Sequence, residues 1–375
     1  MDAAPEDVTP DAWSSRPRTL AEYEREALGR MGPEARGYIE GGAGNEITLA
    51  DNVAAWQRWA LRPRVLVGAS GCDPSVTVLG VRRPHPLIVA PTAFQRLAHP
   101  EGEVAMARAA AATGTVMCVS TFASDGAAAV AERVPEVARW FQLYALTDRG
   151  ATRELIDDAA RQGYEALVVT VDRPVLGIRE REWQVSLRDP VTDIPAHDPA
   201  QTPDVPPAAL LSNIDPDLRW PDIERFAADS ELPVLVKGIL TPEDAELAIA
   251  HGAAGVVVSN HGGRQLDTVL SGVDALAPIV DAVAGRIDVL VDGGIRRGTD
   301  VVKALALGAR AVLIGRPMTW GLAVAGAAGA QHVLETLLGE LVNALVLVGC
   351  PRAADLNGSF VTGAPWTGPI QRPRG

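Results

Sequence analysis

From Pro86 onward the chain repeats one unit eight times: a short apolar stretch, then an Ala-rich stretch with helical periodicity. Strands that alternate with helices in this way are typical of βα units and a parallel sheet. Eight units are the number that closes a (β/α)8 barrel. The predicted strands are 87–90, 115–119, 140–143, 166–171, 234–236, 255–258, 288–291 and 311–314. The predicted helices after them are 101–112, 125–133, 149–162, 221–228, 242–250, 272–283, 298–307 and 327–348.

An open doubly wound sheet is the alternative arrangement of such units. That fold usually carries a Gly-rich fingerprint after its first strand, whereas the first strand here is followed by Pro91-Thr92-Ala93. The predicted fold is therefore an α/β protein with a (β/α)8 TIM barrel. Helical periodicity before the barrel predicts an N-terminal helical extension, at 20–28, 33–39 and 47–56.

The chain divides into three predicted parts. Residues 1–18 are polar and Pro-rich and are expected to be a loose segment, 19–356 a single barrel domain, and 357–375 a C-terminal tail. Within the domain, the Pro-rich stretch 179–220 makes a long loop after strand 4. Such an excursion is usually a functional lid or a disordered loop, and the sequence leaves both open.

Composition excludes several classes of partner. A formal net charge of −13 argues against a nucleic-acid surface, which needs clustered Lys and Arg. The three cysteines, Cys72, Cys118 and Cys350, are far apart and form neither a metal-binding spacing nor a disulfide framework. No signal peptide is visible, and we find no apolar run long enough to span a bilayer. We therefore expect a cytoplasmic protein that binds no nucleic acid, membrane or metal.

Polar or ionisable residues follow nearly every predicted strand. Active sites of barrels lie at the carboxyl ends of the strands, so these residues converge on one rim. Each one alone fits a cap or a turn; together they predict a site. In chain order they are Pro91, Thr92 and Ala93; Ser120; Gln142 and Tyr144; Thr170 and Asp172; Lys237; Ser259, His261 and Arg264; Asp292, Gly293, Gly294 and Arg296; and Gly315 and Arg316.

The stretch VVVSNHGGRQLD at 256–267 carries the most chemistry. His261 is a proton acceptor poised near neutral pH, and Gly262-Gly263 lets the chain turn so that Arg264 comes back beside it. The cation would hold an anionic substrate while the base takes a proton from the neighbouring atom. A buried structural histidine beside an ion-paired arginine is the alternative for this motif alone.

The last two units indicate a phosphate site. In this fold the loops after strands 7 and 8 commonly bind phosphate through glycine N–H groups, helix N-termini and an arginine. Asp292-Gly293-Gly294, Arg296 and Gly315-Arg316 supply these groups, although ordinary turns with solvated arginines are the alternative. Lys237 either forms a Schiff base with a carbonyl substrate or stabilises negative charge on a cofactor.

Seven segments carry a family resemblance that runs from about residue 20 to about 356. They are PTAFQRLAHPEGE (91–103), FQLY (141–144), TVDRPVLGIRERE (170–182), LVKGI (235–239), SNHGGRQLD (259–267), DGGIRRGTDVVKALALGA (292–309) and IGRP (314–317). Together they resemble the FMN-dependent α-hydroxy-acid oxidase and dehydrogenase family, which includes enzymes that oxidise glycolate, lactate or mandelate.

The resemblance implies FMN as cofactor and a role for each matching residue. His261 is implied as the base, with Asp172 hydrogen-bonded to it and Tyr144 near the substrate hydroxyl. Arg264 and Arg179, with Tyr38, are implied to bind the substrate carboxylate. Lys237 is implied to stabilise the reduced, anionic flavin. Further cofactor contacts are implied for Pro91, Thr92, Ala93, Ser120, Gln142, Thr170, Ser259, Asp292, Gly293, Gly294, Arg296, Gly315 and Arg316.

The implied reaction is oxidation of an (S)-2-hydroxy acid to a 2-oxo acid, with O2 as acceptor giving H2O2. Ala93 stands where the family's oxidases tend to have Ala and some dehydrogenases Gly, so the resemblance favours oxygen as acceptor. Phe122 stands where some members carry Trp or Tyr. An aromatic substrate such as mandelate or 4-hydroxymandelate is expected first, lactate or glycolate second. A dehydrogenase that passes electrons to a quinone or carrier protein, and a non-catalytic flavin-binding barrel, are the alternatives. The resemblance also implies a homotetramer.

Overall fold

The computed structural model describes residues 17–68, 71–183 and 213–365. Its centre is a closed barrel of eight parallel strands, here numbered β1 to β8, and pairing of β8 with β1 closes the ring. The predicted (β/α)8 barrel is thus confirmed, and the open doubly wound sheet is excluded. The strands are β1 Leu87–Val89, β2 Val116–Ser120, β3 Arg139–Leu143, β4 Leu167–Thr170, β5 Val234–Ile239, β6 Gly255–Val258, β7 Asp288–Asp292 and β8 Ala311–Ile314.

A major helix between successive strands, and one after β8, surround the barrel. Their apolar side chains pack on the outside of the strands, whose residues are almost all buried. The helices are α1 Gly102–Thr113, α2 Gly126–Arg133, α3 Arg149–Arg161, α4 Trp220–Asp229, α5 Pro242–Ala250, α6 Gly272–Val283, α7 Gly298–Ala306 and α8 Arg316–Val348.

The start of α8 corrects one prediction. The helix begins at Arg316, directly after β8, and not at residue 327. Pro317 is compatible with this early start because the first helical turn needs no proline N–H. Non-helical backbone angles at Ala325 and Gly326 kink the helix, and the helical periodicity in the sequence resumes only after that kink.

The same helix is the one in the described part of the chain that could cross a membrane by length and composition. The expectation that no apolar run is long enough to span a bilayer was therefore wrong. The helix predicted at 327–348 left out residues 316–326, which make α8 long enough. In the structure α8 packs against α1, and Trp320, Leu334 and Leu341 are fully buried. Its apolar side chains serve the core of the barrel domain.

Three helices precede the barrel, as predicted: Leu20–Arg30, Pro33–Glu40 and Ile47–Ala54. The first packs along α8. The turn after the second lies at the carboxyl end of the barrel, where the main chain of residues 38–41 accepts hydrogen bonds from two arginines of the cavity. The extension therefore forms one wall of the candidate site.

Several predictions of domain organisation fall on residues outside the described ranges. These are the loose segment up to residue 16, the loop at 184–212 and the tail from residue 366; the choice between lid and disordered loop stays a prediction. The tail predicted from residue 357 does begin inside the folded body. Val361–Gly363 pairs antiparallel with Trp59–Leu61.

Gly294 tests how tightly the extension is packed on the barrel. The residue follows β7 with φ +75°, and a Cβ there would collide with the backbone oxygen of Asn52. We expect Gly294→Ala to lower the free energy of unfolding by about 3 kcal/mol, through overpacking and strain. Gly339→Ala on α8 is the matched control: nothing lies within 4 Å of that Cβ, and a helical Gly→Ala change stabilises by about 0.5–1 kcal/mol. Denaturant unfolding curves that shift equally for both variants would contradict this packing.

Candidate active site

One cavity lies at the carboxyl ends of the strands. All the predicted site residues line it except Asp172 and Ser259, which stand directly behind its wall and bond to His261 and Lys237. The lining also includes residues that the sequence analysis did not assign to the site. These are Ile39, Ala90, Phe122, Arg173, Gly262, Ile295, Leu313, Ile314, Pro317 and Thr319.

His261 and Asp172 form an acid–base pair. Nδ1 of His261 lies 2.8 Å from Oδ1 of Asp172, and the Tyr144 hydroxyl lies 3.4 Å from Nε2. Burial lowers the pKa of His261 below its ordinary value, although the Asp172 charge opposes this shift. The imidazole is therefore neutral at pH 7. With Nδ1–H donated to the carboxylate, the Nε2 lone pair is left free to accept a proton.

Asp172 is held ionised beside this histidine. Burial alone would raise the pKa of its carboxyl. The interaction with His261, through charge when the imidazole is protonated and through the hydrogen bond, outweighs burial together with the charge of Lys237 and keeps the pKa below its ordinary value. Its second oxygen, Oδ2, is buried and has no hydrogen-bond partner in the part of the chain that the structure describes. The carboxylate can therefore stabilise an imidazolium formed when Nε2 takes a proton.

The loop after β6 that carries His261 is fastened to the N-terminal extension. The side-chain amides of Asn260 and Asn52 bond to each other at 2.8 and 2.9 Å, and Gly263 N–H donates to Asn260 Oδ1. Asp267 accepts backbone N–H groups of the extension, including that of Thr48 at 2.8 Å. Sequence reasoning missed these anchors. Asn260 and Asp267 lie within the motif at 259–267, but nothing in the sequence signals Asn52.

Two predicted substrate-binding arginines meet at one carboxylate. Arg179 Nη1 and Arg264 Nη2 lie 3.0 and 3.2 Å from the same oxygen of Glu182. The Arg264 guanidinium also lies 4.8 Å from the Tyr38 ring and donates to the main-chain oxygen of Gly41. Glu182 was not assigned to the site, although it lies in the segment TVDRPVLGIRERE. It fixes both guanidinium groups against the wall of the cavity.

Lys237 lies on β5 with its Nζ 2.8 Å from Ser259 Oγ and 3.2 Å from Asp292 Oδ2. Burial would lower the pKa of Lys237, but the carboxylates of Asp292 and Asp172 outweigh burial and raise it above its ordinary value. A Schiff base needs a neutral amine as nucleophile. The charged lysine instead suits stabilisation of negative charge.

Besides Arg173 Nε, three buried polar atoms of the cavity wall have no partner among the described residues: Gln142 Nε2, Thr170 Oγ1 and Asp292 Oδ1. Buried polar groups are nearly always hydrogen-bonded, so these atoms indicate a polar ligand. An amide donor, a hydroxyl and a carboxylate oxygen match the ring heteroatoms and the sugar-alcohol hydroxyls of a flavin nucleotide.

The end of the cavity at β7 and β8 fits an anion. Among the residues that the structure describes, Arg316 donates only to main-chain oxygens, those of Ile39 at 2.9 Å and of Gly262 and Gly41 at 3.0 Å. Burial, together with the nearby charges of Arg264 and Arg296, lowers the pKa of its guanidinium to about 9, and the carboxylates of Glu40 and Glu46 offset this only in part. Arg296 lies beside it, with its guanidinium 4.7 Å from the Trp320 ring. A phosphate would supply the missing negative charge.

The aromatic rings of Tyr38, Phe122 and Tyr144 line another part of the cavity, and Phe94 packs among them. Tyr38 and Phe94 have ring centroids 5.6 Å apart, Phe94 and Phe122 6.4 Å, and Phe122 and Tyr144 5.4 Å. Ile214 packs against this group. Phe94 lies in the segment PTAFQRLAHPEGE but was not assigned to the site. The rings give the base an apolar surround on this side.

A closed (β/α)8 barrel that joins an acid–base pair, a buried lysine and a flavin-nucleotide cradle is a flavin-dependent oxidoreductase by class. A family model described as FMN-dependent dehydrogenase matches residues 27–363. L-lactate oxidase from Nostoc sp. is 46% identical over 359 residues, covering 92% of this chain and 98% of that protein. 2-Hydroxyacid oxidase 2 from Homo sapiens is 42% identical over 342 residues, covering 91% and 97%.

A solved structure of mandelate oxidase with (S)-4-hydroxymandelic acid superposes with a TM-score of 0.84, at 40% identity, over 90% of this chain and 96% of that one. The chain belongs to the family of FMN-dependent 2-hydroxy-acid oxidases. The family resemblance, the enzyme class and the FMN cofactor predicted from the sequence are thereby confirmed.

Proposed function

We propose that this enzyme oxidises an (S)-2-hydroxy acid to the 2-oxo acid and passes the electrons to O2. The alcohol loses two electrons and two protons, and O2 gains both to give H2O2. The observation that carries the proposal is His261, which Asp172 orients so that Nε2 faces the Tyr144 hydroxyl and can accept a proton, next to the buried Arg179 and the partly buried Arg264. FMN, when bound, supplies the acceptor for the electron pair.

In the proposed reaction each residue has a defined task. Arg264, with Arg179 and Tyr38, binds the substrate carboxylate and so fixes the carbon beside it. The Tyr144 hydroxyl, 3.4 Å from His261 Nε2, binds the substrate hydroxyl. His261 takes a proton at Nε2, and Asp172 stabilises the resulting imidazolium.

The cofactor contacts belong to the same proposal. Lys237 supplies positive charge that stabilises a reduced flavin. Gln142, Thr170 and Asp292 bring the unpartnered atoms that a flavin nucleotide would satisfy. Arg316, which bonds main-chain oxygens in the described structure, brings positive charge for the phosphate. Further cofactor contacts are proposed for residues that line the cavity, and Ser259 supports Lys237 through its hydroxyl. The lining residues are Pro91, Thr92, Ala93, Ser120, Gly293, Gly294, Arg296 and Gly315.

The substrate proposed first is an aryl acid such as mandelate or 4-hydroxymandelate. The rings of Phe94, Phe122 and Tyr144 offer an apolar, aromatic wall beside the base. The structural similarity to mandelate oxidase supports the same choice. Lactate or glycolate is the second candidate, because a relative at 46% identity is an L-lactate oxidase.

Oxygen is the proposed acceptor because the similar proteins are oxidases by name. Ala93, whose side chain favours oxygen by the family resemblance, lines the cavity. A dehydrogenase with a quinone or protein acceptor is the competing possibility. The homotetramer and the cytoplasmic location stay predictions from the sequence.

An anaerobic mixing experiment tests substrate and acceptor together. The purified holoenzyme is mixed with (S)-mandelate, the visible flavin band is followed, and air is then admitted. We expect bleaching, then rapid recolouring with release of H2O2. Slow recolouring in air would indicate another acceptor, and bleaching by lactate alone would replace the aryl substrate. A flavin that no 2-hydroxy acid bleaches would favour the non-catalytic binding protein.

A further inference from the structure

Five arginines line the cavity, and they differ in what balances their charge. Arg179 and Arg264 share the carboxylate of Glu182. Arg296 and Arg316 lie at the end where the FMN phosphate is expected, and that group would balance them. The fifth, Arg173, lies on the loop after β4 beside the aromatic rings of the cavity.

Arg173 is buried without a counter-charge. It is 5% exposed, its Nε has no partner, and it makes no ion pair or hydrogen bond within residues 17–68, 71–183 and 213–365. Its guanidinium lies 5.0 Å from the Tyr144 ring and 6.0 Å from the Phe122 ring. Ring faces attract a cation only weakly compared with the cost of removing it from water. The site therefore has an unused positive charge.

Tyr144 connects this charge to the reacting centre. Its hydroxyl is 3.4 Å from His261 Nε2. Its ring lies closer to the Arg173 guanidinium than the Phe122 ring does. A substrate held at His261 and Arg173 therefore spans one tyrosine side chain. Because Arg179 and Arg264 are already assigned to the carboxylate next to the hydroxyl, Arg173 faces a different group of the same molecule.

We propose that Arg173 binds a second carboxylate, at the far end of the substrate side chain, and so favours, among the aryl and short-chain 2-hydroxy acids proposed above, those whose side chain is acidic. This inference rests on the proposed function of the same site. A guanidinium matches a carboxylate with two parallel hydrogen bonds, and the ion pair would be shielded from water by Phe122 and Tyr144. A neutral side chain of the same shape would leave Arg173 unpaired.

Matched substrate pairs test the proposal. One pair is (S)-malate and (S)-2-hydroxybutyrate; the other is (S)-4-carboxymandelate and (S)-mandelate. We expect wild-type kcat/KM to be higher for the acidic member of at least one pair. Arg173→Met should lower kcat/KM for that acidic member by about 100-fold, the scale of losing one partner of a buried charge pair, and change the neutral member by less than about threefold. Arg173→Lys should fall between.

Arg108→Gln, an exposed arginine on α1 paired with Glu101, is the control and should change neither substrate. An equal loss on both members of a pair would mean that Arg173 only supports Tyr144 and Phe122, and would overturn the proposal. So would a wild-type preference for the neutral member of both pairs. If Arg173→Met does not retain FMN, the wild-type ratio and Arg173→Lys decide.

The two levels of proposal fail differently. Oxidation of a neutral substrate without any dependence of the acidic-to-neutral ratio on Arg173 would leave the proposed function intact and reject the second carboxylate. If neither these four compounds nor lactate or glycolate bleaches the flavin, the proposed function fails and the role of Arg173 fails with it.

Discussion

His261→Asn is expected to lower kcat for hydroxy-acid oxidation by about 10³- to 10⁴-fold while the protein still binds FMN. The substitution removes the proton acceptor at Nε2, which lies 3.4 Å from the Tyr144 hydroxyl. It leaves the proposed cofactor contacts on β2, β3, β4 and β7 in place, so the visible absorbance per protein should not change. Single-turnover reduction of the flavin under anaerobic conditions measures the chemical step without interference from reoxidation.

His251→Asn provides the control for this result. His251 ends α5, bonds Glu224 at 3.1 Å and stacks on Trp220, away from the cavity lining. It should keep wild-type reduction rates. Reduction of the His261 variant within about tenfold of wild type would show that another group takes the proton, because general-base catalysis is worth more than that.

Asp172→Asn is expected to lower kcat by about 10²-fold or more and to change the pH profile in a defined direction. The base works in its neutral form, so kcat/KM rises with pH through the pKa of His261. Burial lowers that pKa, and the Asp172 charge raises it part of the way back. Without the carboxylate the pKa falls further, so the acidic limb of kcat/KM moves to lower pH while the maximum rate drops.

The pH profile separates this role from a structural one. A variant that lost only packing would lower the rate without moving the acidic limb. A limb displaced to higher pH would contradict the assigned charge on Asp172. Asp158→Asn, an exposed partner of Arg161 on α3, is the control and should leave both rate and limb unchanged.

Much of the fold was predictable because the information is local. Alternation of apolar strands with Ala-rich helices gives the barrel, and residues at strand ends must meet at one rim. The start of α8 was not predictable, because Gly321 and Gly326 weaken the helical pattern and only close packing, such as Gly321 against Gly329, supports a helix there.

Within the site, residue types were predictable but their pairings were not. Glu182 holds both Arg179 and Arg264, and Asn52 bonds Asn260 across 208 positions of chain. No pattern along the sequence encodes such contacts. The sequence also could not decide whether Lys237 forms a Schiff base or stabilises charge. That decision required the positions of Asp292 and Asp172, whose carboxylates raise the pKa of Lys237.

The wall formed by residues 38–41 bears on the order in which a cell can make a working enzyme. Arg264 and Arg316 donate to the carbonyls of this turn, yet translation adds them more than 200 residues later. The contacts of residues 38–41 with Arg316 therefore cannot form until β8 and the residue after it have been synthesised. FMN can join a complete cradle only then, and a ligand of the native state stabilises it by mass action, so we expect bound FMN to stabilise the finished fold.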